Sequence, residues 1–162
     1  MVDVTISFDY GTVKHNKPNI SVNGQSTKLD IFTISGDVNA TQTFEMFANN
    51  TNTEWTHAKI GKEDSESNIV GTSHSTRSTA VGHYLRRTNY TLKEATHSHP
   101  SGIPFPSEGD LQGAELYESS NSSSKVRLNI YTTKYGYSPY NKSGTLDTRF
   151  VFKDGKWYYT PK

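Results

Sequence analysis

The chain has 162 residues and no cysteine. Disulfides and thiolate zinc clusters are therefore excluded, so any bound metal must rest on histidine and carboxylate ligands. An excess of charge of one sign is also missing. The 17 basic and 16 acidic residues leave a formal net charge of +1, which gives no warrant for a nucleic-acid or membrane partner. Long apolar runs are lacking too, and the longest fall far short of a bilayer span. Apolar residues make up 31% of the chain, below the roughly 45–50% (glycine included) usual for globular proteins. Thr, Ser, Asn and Gly fill the deficit, which predicts a globular chain with much polar surface. The start, Met1-Val2-Asp3-Val4-Thr5-Ile6-Ser7, alternates like a strand and lacks the charged head and apolar core of a signal peptide.

The length suits one domain, residues 1–162, with a core of its own. Alternation predicts strands at Val2–Phe8, Asn19–Val22 and Lys28–Ile34, separated by turn signals at Gly11, Asn23-Gly24 and Gly36. Phe44, Phe47 and Ala48 are spaced for a helix from Asn39 to about Asn50, with Asn39 or Thr41 as its cap. A strand at Glu54–Gly61, a charged turn at Lys62–Ser67 and a strand at Ile69–Ser73 follow. Ser78–Thr88 has a helical apolar face, and Tyr90–His99 reads as a strand. Ser101–Pro106 is a proline-bounded loop, and Ser107, with Asp110 three residues on, suits the start of a helix running to about Glu118. Ser119–Ser124 reads as linker, Lys125–Thr132 as a strand, residues 133–146 as a loop, and Arg149–Phe152 with Lys156–Tyr159 as a hairpin around Asp154-Gly155. The expected class is α/β (α+β): a mixed, curved sheet flanked by helices at about 40–50, 78–88 and 107–118. Residues 1–36 and the last 14 are expected to add strands to it.

The chemistry concentrates in His97-Ser98-His99-Pro100 and Ser107-Glu108-Gly109-Asp110. A strand places residues i and i+2 on one face, so both imidazoles can converge on one ion. Asp110 can add a carboxylate. Three protein ligands leave a fourth tetrahedral position for water, the mark of a catalytic Zn²⁺ site, and so point to a hydrolase. His15, His57, His74 and His83 are expected to serve packing or surface roles, and the C-terminal tyrosines with Trp157 to be half-buried packing residues.

His97-x-His99-Pro100, six residues, Ser107, two residues and Asp110 together resemble the signature of the JAMM (JAB/MPN) metallopeptidases. The resemblance extends back to Glu54-Trp55-Thr56-His57-Ala58-Lys59-Ile60-Gly61, which matches a strand that opens on a glutamate and ends in glycine, and it covers roughly residues 40–132. Thr56, His57 and Lys59 depart from the family, which more often carries apolar residues there. The resemblance implies Zn²⁺ held by His97, His99 and Asp110, Glu54 as general base, and Ser107 as a donor to the tetrahedral oxyanion. Glu45 competes with Glu54 for the base, but falls in a helical window where a surface glutamate is usually solvated.

Phe44-Glu45-Met46-Phe47, Ile69-Val70-Gly71-Thr72 and Ser138-Pro139-Tyr140-Asn141 are similar in phrase to the JAB-like C-terminal domains of bacterial polymorphic toxins. That implies a domain exported within a larger polypeptide and acting in a target cell, a protein or peptide substrate, and a cognate immunity protein. The alternative is a binding module of the same fold without hydrolysis. A zinc-dependent base deaminase is unfavoured because its Pro-Cys-x-x-Cys ligand pair needs cysteine.

Overall fold

The computed structural model describes residues 13–61, 67–88, 91–120 and 125–161. The strand expected at Val2–Phe8 lies outside them, as do most of the turn at Lys62–Ser67 and the end of the linker at Ser119–Ser124.

The elements run in the order β1 (Val13–Asn16), β2 (Asn19–Val22), β3 (Gln25–Lys28), β4 (Asp30–Ser35), α1 (Asp37–Asn50), β5 (Thr56–Ile60), β6 (Ser67–Thr72), α2 (Val81–Arg87), β7 (Leu92–Ser98), α3 (Glu108–Ser120), β8 (Arg127–Thr132), β9 (Gly136–Asn141), β10 (Gly144–Thr145), β11 (Phe150–Lys153) and β12 (Lys156–Tyr159). Eight strands form one mixed sheet in the order β1-β4-β6-β5-β7-β8-β9-β10. Among the described strands only β7 and β8 pair in parallel. A parallel pair cannot close by a tight turn and needs a long crossover, and here that crossover is the proline loop plus α3.

Two apolar clusters flank this sheet. On the α1 side, Phe44 meets Ile34, Trp55, Val70 and Tyr131. On the other, Val81 and Leu85 of α2 and Ala114 of α3 cover Ile31, Ala58, Ile69, Ala95, Leu128 and Ile130. The α/β class with a flanked mixed sheet is as expected, and several details differ. The predicted strand at Lys28–Ile34 breaks at Leu29, so β2 and β3 make a separate hairpin while β1 and β4 join the main sheet. Residues 133–146, expected to be loop, instead contribute β9 and β10. The C-terminal hairpin β11–β12 does not extend the main sheet but stands as its own two-stranded sheet. Trp157, Tyr158 and Tyr159 remain 43–49% exposed there, while Phe150 is buried against Tyr135 and Phe105.

The helix α1 starts at Asp37 rather than Asn39. Gly36 takes a left-handed φ of 88° that suits glycine, and it stands at the N-cap in place of a capping side chain. Asp37 is in the first turn, where a negative charge meets the positive end of the helix dipole. The helix α2 starts late instead, at Val81 rather than Ser78, because Ser78 and Thr79 turn their hydroxyls onto the amides of Ala80 and Val81, and Ala80 is left-handed.

Polar residues at Thr56, His57 and Lys59 do not keep β5 near the surface. Thr56 and His57 are buried, and each polar group is satisfied. Thr56 Oγ1 donates to Thr79 Oγ1 at 2.7 Å. His57 Nε2 lies 2.7 Å from Asn68 Oδ1, and Asn68 in turn donates to Asp37 at 3.0 Å. Lys59 Nζ is 3.5 Å from the same Asp37. Pairing of this kind removes most of the cost of burying polar groups.

Candidate metal centre

Strand β7 is central, bonded to β5 on one side and β8 on the other, with His97 opposite Thr56 and Ile130. Ala95, two residues earlier on the same strand face, packs with Leu128 and Ile130 of the α2/α3 cluster. His97 therefore opens onto that side, under α3. The strand ends at Ser98, and the amide of His99 continues the ladder by donating to Tyr131 O at 3.0 Å. Gly102 N closes a turn on His99 O at 3.0 Å. The chain then passes Pro104 and Pro106 into α3, whose first turn carries Asp110.

The three donor groups converge. His97 Nε2 and His99 Nε2 are 3.0 Å apart, His97 Nε2 is 3.1 Å from Asp110 Oδ1, and His99 Nε2 is 3.4 Å from Asp110 Oδ2. A tetrahedral ion with bonds of about 2.0–2.1 Å separates its ligand atoms by about 3.3 Å, so the spacing fits one ion. Among the described residues this is the one group of three or more such side chains able to hold a metal. The His99 ring is oriented from behind. Its Nδ1 lies 2.8 Å from Ile103 O and donates to it, which leaves Nε2 as the ring nitrogen that faces His97 and Asp110. Tyr140 packs edge-on to His97, with centroids 5.8 Å apart.

Asp110 is fixed by a reciprocal cap. Its Oδ2 accepts from both the amide and the hydroxyl of Ser107 at 2.7 Å, while its own amide donates to Ser107 Oγ at 3.3 Å. This is capping-box logic with an aspartate, so the capping expectation for Ser107 and Asp110 holds. Burial pushes the Asp110 carboxyl up, but hydrogen bonds from His97 and His99 outweigh it and hold the group far below the usual carboxylate range. Burial pulls His99 down, and bonding to Asp110 and the Ile103 carbonyl reverses that, leaving it raised.

Glu54 precedes β5 and is buried. Its amide donates to Ser75 O at 2.8 Å, and its carbonyl accepts from Thr72 Oγ1 at 2.7 Å. Burial raises the Glu54 carboxyl against the pull of His97 and His99. It lines a cavity of about 460 Å³ together with His97, Ser107 and Asp110. Glu45 lies elsewhere: its carboxylate accepts from Tyr137 Oη at 2.8 Å, outside that cavity. A second cavity of about 250 Å³ touches Ser98, His99 and Pro100 on the α1 side.

Sequence reasoning had no signal for the Ile103 carbonyl, which is backbone. It also missed the partner of His15 and His74. His15 Nε2 is 2.7 Å from Asp30 Oδ1, and His74 bonds the other oxygen of the same carboxylate.

No curated protein matches the chain. The family model of JAB-like toxin 1 matches residues 32–127, a span that holds Glu54, both histidines, Ser107 and Asp110. Over more than half its length, and through every residue of the candidate centre, this chain belongs to the JAB-like toxin 1 family.

Proposed function

We propose that the domain is a zinc-dependent peptidase of JAMM type that acts as the toxic moiety of a secreted bacterial protein. The observation that carries this reading is the convergence of His97, His99 and Asp110 to ligand spacing, with the buried Glu54 carboxyl on the same cavity. His97 and His99 supply Nε2 lone pairs, and Asp110 supplies an ionised oxygen. Zinc held by these three groups would supply Lewis acidity and lower the pKa of a water toward neutrality. Glu54 accepts the proton of the attacking water and delivers it to the amine as the carbon–nitrogen bond breaks, a role helped by its raised affinity for protons. Ser107 offers a hydroxyl to the developing oxyanion from the cavity wall. The cavities on either side of the β7 end suit an extended chain crossing the centre, for a peptide or an isopeptide bond. Toxicity of this kind requires a cognate immunity protein in the producing cell.

The test is metal analysis with activity. Purified domain is expected to bind about one zinc and to lose hydrolysis on chelation. Glu54→Gln is expected to keep the zinc and lose roughly 10²–10⁴ in rate. Expression of wild type against His97→Ala, with proteomics for new termini in the poisoned cells, identifies the bond cut. A wild type that binds no zinc and cuts no peptide, with toxicity unchanged by His99→Ala, would make the domain a binding module.

A further inference from the structure

The 460 Å³ cavity does not stop at the triad. It runs between α2 and α3, where Arg77 and Arg86 form part of its wall. Among the described residues its acidic lining is Glu54 and Asp110, and both belong to the candidate centre. The described arginines divide into two groups. Arg127 is paired with Glu94, Arg149 with Asp147, and Arg87 donates to Ser21 O. Arg77 and Arg86 form no ion pair with any described carboxylate. Arg86 instead donates to His83 Nδ1 at 3.1 Å and lies 5.9 Å from the centroid of the Tyr117 ring. Burial and the neighbouring Arg86 and Arg87 charges lower the pKa of His83, so the imidazole is a neutral acceptor that orients the guanidinium without cancelling its charge.

A cavity of this volume falls in the range of about 300–1,000 Å³ typical of small-ligand sites. Arg77 and Arg86 share this cavity with His97 and Asp110, so a group held by the arginines would lie near the candidate centre. An arginine fork matches a carboxylate in charge and geometry, and Ser78, Thr79 and Gln112 add polar groups on the same wall. We propose that Arg77 and Arg86 form a carboxylate-binding subsite, so that the preferred substrate carries an acidic group a short distance from the bond that is cut. The group is an acidic side chain or the free carboxyl end of the chain, which share this chemistry. The assignment rests on the peptidase reading for its link to cleavage, though the subsite can be tested by binding alone.

Three fluorescent hexapeptides provide the probe: one with a single Glu and an amidated end, one with Gln in its place, and the Gln peptide with a free carboxyl end. Anisotropy titrations use the zinc-loaded Glu54→Gln protein, which holds peptide uncut, and the same protein carrying Arg77→Gln and Arg86→Gln. The expected result is about tenfold tighter binding of the Glu peptide, the free-acid peptide, or both, relative to the neutral one, with the gap closed by the arginine substitutions. Which of the two binds tighter identifies the source of the carboxylate. Each arginine changed alone guards against misfolding of the double variant, because each is expected to lose part of the preference. Equal binding of the three peptides, no binding of any, or a preference that survives the double substitution overturns the proposal. If wild type cuts no peptide yet the arginine-dependent preference is present, the peptidase reading fails and the subsite stands. If wild type cuts peptides without such a preference, the subsite fails and the peptidase reading stands.

Discussion

Two clusters in this protein contain the same three side chains, two histidines and an aspartate, and they differ in where the nitrogens point. At His97, His99 and Asp110 each group turns one atom toward a common space, with separations of 3.0–3.4 Å. At His15, Asp30 and His74 the imidazoles donate to opposite oxygens of one carboxylate, so the nitrogens that face it carry protons. The first arrangement is open to an ion. The second is a closed clamp that ties β1 and the segment after β6 to the start of β4. Residue type is thus shared, and convergence separates a ligand set from a structural tie. The clamp still bears on the centre, because His74 lies between Thr72 and Ser75, which hold the backbone of Glu54.

The largest expected effect separates the clusters outright. His99→Ala is expected to take bound zinc from about one per chain to none, while His74→Ala leaves it unchanged, as read by plasma emission spectrometry. Gly71→Ala presses on the closed cluster from below. A Cβ there would sit 2.7 Å from Ile31 Cδ1 and 3.1 Å from both Asp30 O and Val81 Cγ2. Overpacking of this kind costs about 1–3 kcal/mol, measurable by denaturant unfolding.

Asp30→Asn is a milder break, expected to cost about 1 kcal/mol and to slow turnover roughly tenfold by loosening the support of Glu54, with zinc content unchanged. Its pH signature is specific. Burial raises the Asp30 carboxyl, but the bonds from His74 and His15 win and leave it below the unfolded value of 3.8. The stabilisation is therefore present above that pH and lost as pH falls below it. Unfolding curves of Asp30→Asn should lack that loss. The smallest effect comes from His57, which burial holds below its ordinary 6.5. Below that pH the unfolded chain takes a proton that the folded one resists, so stability falls as pH drops. Comparison with His57→Gln across that range isolates the contribution.

The ligand set was legible in the sequence because the histidines lie two apart at a strand end and Asp110 opens a helix, so local spacing brings the groups together. Glu54 was reachable only through family resemblance, since its tie to β7 is long-range: the next amide, that of Trp55, donates to the Ser98 hydroxyl across 43 residues. The Asp30 clamp was illegible for the same reason: its contacts span 15 and 44 residues and follow from sheet order. The burial of β5 was not legible from Thr56, His57 and Lys59 taken singly. Their partners Thr79, Asn68 and Asp37 lie on other elements. The hairpin β9–β10 was hidden because tyrosine, glycine and proline mark loops in isolation, whereas Tyr140 is buried against the core.

Phe105 lies in the same short loop as Ile103, whose carbonyl orients His99, and its ring packs on Phe150 at 5.0 Å and stacks on Trp157 at 4.6 Å. Both partners belong to the hairpin β11–β12, which follows His97, His99 and Asp110 in the chain. The loop that orients His99 is thus covered by an element remote in sequence, and its order depends on the hairpin being in place.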